Sequence, residues 1–292
     1  MPSKKIFQFE EKPIASVIIP SLDGNRDGNV EKLINDIKKQ SFKSVEIIIS
    51  INEKPNGRAR NVGFEKVSES SEYLIFFDDD IILGNNLIIE NFIQVLKNKK
   101  IGLVGASQLP PSNSSLKQLW IGYDLKRAKF EIVRNITETD MVTHAGMACR
   151  KEIWEIFDGE SNNLVTGTDT DLRERLSSEG YKHVIPPDTF VYHPLPKNFT
   201  DVFKTAIFHG KYQYSYRKER GFQIKITKPF KKINTLNQFV FFCALEMLFF
   251  LPHIFITKRK IPIGFRPINA LFRLLMVISY LKETYIHENN IK

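Results

Sequence analysis

Residues 73–80 read YLIFFDDD: five apolar residues, then three acids with nothing between. A run of that length without alternation suits a strand covered on both faces, as in a parallel sheet with helices on either side. Upstream, Ala15 to Pro20 (ASVIIP) and Val45 to Ile51 (VEIIISI) are of the same type, and Ile101 to Ala106 (IGLVGA) follows. Helical periodicity fills the gaps. Val30, Leu33, Ile34 and Ile37 mark one face of a helix, and Ile88, Phe92, Val95 and Leu96 mark another. Ala59, Val62 and Val67 suggest a third, less regular one. Strand–helix alternation of this kind predicts an α/β fold with a mostly parallel sheet, and ligands in such sheets bind beyond the carboxyl ends of the strands. The segments SLDGNRD (21–27), NEKPNGR (52–58) and DDD (78–80) all follow strands, so they should meet in one crevice.

Three adjacent carboxylates repel one another unless a cation neutralises them. Oxygen ligands of this kind suit Mg²⁺ or Mn²⁺, which bind through one or two carboxylates and complete their shell with substrate phosphates. The same triplet could instead be a solvated turn that caps a helix. Farther on, GTDTDL (167–172) places Asp169 and Asp171 at the start of a helical pattern. Acids there are stabilised by the helix dipole, which accounts for Asp171; Asp169 could project into the crevice. His193, in TFVYHPLP, is either a hydrogen-bonded structural residue or a metal ligand.

Four strings, SVIIPSLDGN, GRARNVGFEKVSESSEYLIFFDDD, GMACRKEIWEIF and GTDTDLRERL, in this order, resemble the family 2 inverting glycosyltransferases of the GT-A fold, over about residues 14–196. The resemblance implies a nucleotide-sugar donor, a glycan or lipid-linked acceptor and a divalent metal. It implies that Pro20, Ser21 and Leu22 hold the donor nucleotide, and that Arg58, Arg60 and Asn61 contact nucleotide or phosphate. Asp78 and Asp80 match the DxD signature, with Asp79 between them on the donor side; the last acid of that signature holds the metal. Asp169 matches the catalytic base, and His193 a histidine that completes the metal site in some members. The chain departs from the family twice. Ile51 or Asn52 stands where an acid usually recognises the base, leaving Glu53 or Asp23 as substitutes. Thr168 stands where a Glu usually precedes the base.

The hydrophobic fraction of 42% and charged fraction of 26% are those of a folded chain. Two distant cysteines exclude a disulfide framework or zinc site and fit a reducing compartment. The opening MPSKKIFQFEEKP has no apolar segment behind its basic residues, unlike a secretory leader. Charge is uneven: +12 from residue 197 onward, −3 before it. The expected organisation is therefore a catalytic domain over 1–198 and a basic helical extension over 199–292. The extension carries an apolar stretch, Phe239 to Ile256, interrupted by Glu246 and Pro252, and a second run, Ile268 to Leu281, containing Arg273. Basic flanks beside amphipathic helices fit attachment to the anionic cytoplasmic face of a membrane. The aromatic–basic run FHGKYQYSYRKERGF suits a sugar or membrane interface, and no nucleic-acid motif accompanies it. Two further readings are a nucleotidyltransferase, for which SLDGNRDGN is a poor phosphate loop, and a non-catalytic membrane-binding module.

Overall fold

The computed structural model describes residues 3–8, 12–125, 131–220, 237 and 267–289. They divide into two compact units, residues 1–112 with 128–194, and residues 113–127 with 195–292.

The first unit is built on an eight-stranded sheet. Strands β2 (Ala15–Ser21), β3 (Val45–Ile51) and β4 (Tyr73–Phe76) lie side by side and parallel, flanked by β1 (Ser3–Gln8), which is antiparallel to β3. Beyond β4 the order runs β9 (Met147–Arg150), β6 (Ile101–Gly105), β10 (Lys182–Ile185), β8 (Thr137–Glu138). The sheet is thus mostly parallel, as the strand–helix alternation predicts, but β9 slots between β4 and β6 antiparallel to both. Register brings Ser21 opposite Ile51, and Ile18 opposite Phe76, so three strands end at one edge.

Side chains alternate between the two faces of a strand. Val17, Ile19, Ile47, Ile49, Ile75 and Phe77 point one way. They pack on Val30, Leu33 and Ile37 of α1 (Asn29–Lys38) and on Ile88, Phe92 and Leu96 of α3 (Ile88–Leu96). Ile18, Ile48, Leu74 and Phe76 point the other way, onto Ile153 and Trp154 of α5 (Lys151–Ile156) and Leu172 and Leu176 of α6 (Thr168–Ser178). Both faces are covered, which is why the strands read as unbroken apolar runs. Each buried side chain of this size contributes about 1.5–3 kcal/mol. At the edge away from the strand ends, the buried Glu46 carboxylate accepts Ser16 Oγ at 2.6 Å and Ser68 N and Oγ at 2.7 Å. Buried Arg150 donates to the carbonyls of Leu96 and Ile101, both at 2.9 Å, satisfying an orphan acceptor at the end of α3. Helix α2 (Asn56–Phe64) completes the β3–β4 crossover.

A small second sheet, β5 (Ile82–Leu83), β11 (Phe190–Tyr192) and β7 (Ser107–Leu109), stands apart from the first. Because β11 pairs antiparallel with β5, Tyr192 lies opposite Ile82. The residue after β11 is thereby carried beside the acidic triplet that precedes β5.

The second unit contains α4 (Leu116–Leu125), α7 (Phe199–Arg220) and α8 (Pro267–Asn289). Ile121, Leu125, Val202 and Ile268 form its core, and α7 approaches α8 closely at Gly210, where a Cβ would fall 2.2 Å from the Met276 carbonyl. The run Ile268 to Leu281 lies within α8, with Val277 and Tyr280 buried and Leu271, Ile278 and Leu281 exposed. The stretch Phe239 to Ile256 lies outside the described residues. Among those described, no helix is long and apolar enough to cross a membrane.

Candidate active site

The three strand ends carry the loops that build a cleft of about 330 Å³. Pro20, Ser21 and Leu22 line it from β2, Glu53 from beyond β3, Arg60 from α2, Asp78, Asp79 and Asp80 from beyond β4, and His193 from beyond β11. The loop after β2 turns sharply: Gly24, Arg26, Asp27 and Gly28 all have positive φ, at 73°, 46°, 55° and 78°. For the two non-glycine residues this costs about 1–2 kcal/mol each. Asp23 offsets part of that cost by accepting Asn25 N at 2.9 Å and Arg26 N at 2.8 Å. Those amide hydrogen bonds, that of Arg26 foremost, hold the Asp23 carboxyl below its usual range. Asp23 is thus a turn-former and does not line the cleft. Asn52, with φ 57°, does the same work after β3, its N–H donating to the Ser21 carbonyl at 3.1 Å.

The triplet splits into three roles. Asp78 Oδ1 pairs with Arg60 Nη2 at 2.9 Å. Asp79 is 8% exposed; burial pushes its carboxyl up, opposed by a hydrogen bond from Ser21 and by Arg26. Asp80 Oδ2 meets Arg26 Nη2 at 2.9 Å, and its Oδ1 lies 3.9 Å from His193 Nε2. His193 Nδ1 donates to the Pro194 carbonyl at 3.0 Å, and Nε2 is the ring nitrogen turned to Asp80. Arg58 Nε is held by Glu53 at 2.9 Å and Arg58 does not line the cleft.

Two residues that carry no motif complete the site. Glu160 is fully enclosed; its Oε2 is 3.5 Å from Arg60 Nη1, and its Oε1 is bonded to His144 Nε2. Burial pushes the Glu160 carboxyl up, but His144 and Arg60 together hold it below its ordinary value. His144 in turn accepts the Asp78 amide on its backbone carbonyl at 3.1 Å. Asn61 clamps this segment rather than entering the cleft, donating to the Glu160 carbonyl at 2.6 Å and accepting its N–H at 3.2 Å. Asp169 lies in the first turn of α6, its Oδ1 accepting Thr170 N at 2.8 Å and its Oδ2 paired with Arg173 Nη1 at 3.2 Å. Enclosure raises its pKa, but Arg173, His144, that amide and Arg60 outweigh it, so the carboxyl stays ionised well below neutrality. An unbroken chain, Asp78–Arg60–Glu160–His144, therefore joins the triplet to the field around Asp169. Asp171 is buried against Arg175 at 3.0 Å, a structural residue.

With this arrangement in view, residues 13–207 match the family model described as "Glycosyltransferase like family 2". The chain belongs to that family. This family 2 enzyme is 24% identical over 174 residues to the O-antigen chain rhamnosyltransferase WbaN of Salmonella anatum, covering 56% of the chain and 55% of the relative, so the match spans about half the relative's length. In fold it is similar to the mannosyltransferase PcManGT of Pyrobaculum calidifontis, solved with GDP-Man and Mn²⁺, with a TM-score of 0.58, 13% identity, and 95% and 89% of the two chains covered. A structure of S. aureus TarS (residues 1–349) aligns at a TM-score of 0.46 and 14% identity, over 94% and 91%. The family match and the fold shared with PcManGT give this chain the GT-A glycosyltransferase architecture.

Among the described residues of this glycosyltransferase, no three His, Cys, Asp or Glu side chains are grouped as a ready-made metal cage. Asp80 and His193 offer one carboxylate and one imidazole, and Asp78 is turned to Arg60. That donor set fits an Mn²⁺ or Mg²⁺ ion that draws its remaining ligands from phosphate and water. The guanidinium already resting on Asp80 is itself a cation at that carboxylate.

Proposed function

We propose that this glycosyltransferase is metal-dependent and inverting, and that it moves a sugar from a nucleoside-diphosphate donor to a glycan or lipid-linked acceptor during cell-surface polysaccharide or lipopolysaccharide assembly. The observation that carries this is the cleft in which the three acids, Arg60 and His193 meet, joined through Glu160 and His144 to the surroundings of Asp169. Pro20, Ser21 and Leu22 would hold the nucleotide, with Glu53 in the place of the missing base-recognising acid. Arg60, 1% exposed and held by Asp78 and Glu160, would favour the diphosphate by its charge at the cleft wall rather than by a direct hydrogen bond. Asp80 and His193 would hold a divalent ion, which supplies Lewis-acid neutralisation of the leaving diphosphate. Asp169, ionised at neutral pH, would accept the proton of the attacking hydroxyl in a single displacement. The O-antigen role in the relative's name supports the biological setting, and the GDP-Man and Mn²⁺ in the fold neighbour support the donor class and the ion. The +12 balance beyond residue 197 and the exposed apolar residues of α8 support peripheral contact of the 199–292 extension with an anionic cytoplasmic membrane face.

A thermal-shift panel of UDP, GDP and dTDP and their sugars, with and without Mn²⁺, tests the reading. A bound ligand at a hundredfold over Kd stabilises by about 2.7 kcal/mol, a shift of about 5–10 °C for a unit of this size. A selective shift is expected, with its Mn²⁺-dependent part lost in Asp80→Ala. No shift with any nucleotide, or one that Asp80→Ala leaves intact, refutes it.

A further inference from the structure

Arg26 is a cleft cation that the mechanism above does not use. It is half-exposed, its guanidinium 2.9 Å from Asp80 and 3.8 Å from Asp79. Its situation differs from that of Arg60, which is 1% exposed and fixed between Asp78 and Glu160. The Arg26 backbone is pinned by Asp23, but its long side chain reaches across to Asp80 and stays half-exposed. An ion pair this exposed is weak and therefore exchangeable. The guanidinium covers the same carboxylate that an incoming divalent ion needs. Two cations on one carboxylate repel each other, whereas a guanidinium fork matches phosphate oxygens well.

Resting on the donor and ion reading above, we propose that Arg26 is a tethered counter-ion with two positions. It covers Asp80 while the cleft holds no donor, and moves onto the donor's diphosphate when a divalent ion occupies Asp80. Ion and donor then favour each other's binding, and by linkage the effect is reciprocal. The ion alone binds poorly because it must displace Arg26 without giving the guanidinium a new partner.

The substitution Arg26→Gln separates the two positions by sign. Mn²⁺ binding without nucleotide, followed by electron paramagnetic resonance, should tighten by about threefold to tenfold, the range an exposed ion pair plus relief of repulsion allows. Binding of GDP, UDP or dTDP at saturating Mn²⁺, followed by calorimetry on whichever of the three the parent binds, should weaken by about tenfold or more, the worth of a charged hydrogen bond. Arg26→Lys keeps the charge and should keep the low affinity for Mn²⁺ alone, which also guards against a loop that has simply misfolded. Opposite signs in Arg26→Gln support the inference. Shifts of the same sign, or none, overturn it while leaving the ion site standing, provided Asp80→Asn abolishes Mn²⁺ binding. If Asp80→Asn binds Mn²⁺ as the parent does, the ion-site reading and this inference fall together.

Discussion

Replacing Arg60 with Met tests the charge chain at its centre. Arg60 is 1% exposed and Glu160 fully enclosed, so the substitution leaves a carboxylate inside the protein with only His144 beside it. Breaking a buried pair by removing one partner costs about 3–5 kcal/mol. The lost hydrogen bond from Nη1 to the Asn56 carbonyl, at 3.2 Å, adds about 1 kcal/mol. The Asp78 pair adds little, because Asp78 is one-third exposed. For a unit of residues 1–112 and 128–194, each kcal/mol moves the midpoint by about 2–4 °C, so Tm should fall by about 8–24 °C. The deficit should depend on pH. In the parent the folded Glu160 pKa lies below the unfolded value of about 4.3, so its contribution is complete above that value and is lost as pH falls through the lower folded one. Without Arg60, burial lifts the folded pKa relative to the parent, and protonation relieves the stranded charge. The gap between parent and variant should therefore narrow as pH is lowered from neutrality. Adding Glu160→Gln to Arg60→Met should recover more than half the loss at pH 7. Thermal and urea unfolding measure all three. A single variant within about 1 kcal/mol of the parent, or a double variant less stable than the single, refutes the reasoning.

Asp169→Asn should lower turnover by about 10² to 10⁴, the usual worth of a general base, while the nucleotide-induced thermal shift persists; near-normal turnover removes Asp169 from that role. Gly57→Ala should destabilise the first unit and weaken nucleotide binding together, since the added Cβ would fall 2.4 Å from the Ser161 carbonyl. A variant with parental Tm and affinity would show that the close approach of α2 to this segment is dispensable.

The central strands were legible because burial on both faces removes polar alternation, and α1 and α3 because one apolar stripe each faces the sheet. Helix α2 opens at Asn56, before its first apolar mark at Ala59, because its start is set by loop geometry rather than by an apolar stripe. Strand β9 was not legible as a neighbour of β4: MACR states that a strand is possible, but its place between β4 and β6 is a matter of chain return. The acidic triplet could be anticipated at one edge because it follows a recognisable strand, whereas Arg60 entered only through the family resemblance, and His193, open as a ligand on its own, was tied to the metal site only by that resemblance. Glu160 and His144 could not, because a single charge in an irregular segment looks like any solvated residue until the fold encloses it. Arg26 stood in plain view within SLDGNRDGN, but turn chemistry explained that loop without it.

The pairing of β11 with β5 has a consequence for synthesis. His193 reaches Asp80 only when a strand ending at Tyr192 docks against one beginning at Ile82. Contacts so distant along the chain form late, after the locally connected elements have settled. A nascent chain emerging from the ribosome thus carries its acids and Arg60 long before it has their imidazole partner. Only when this last strand of the unit is laid down can the imidazole take its place beside Asp80.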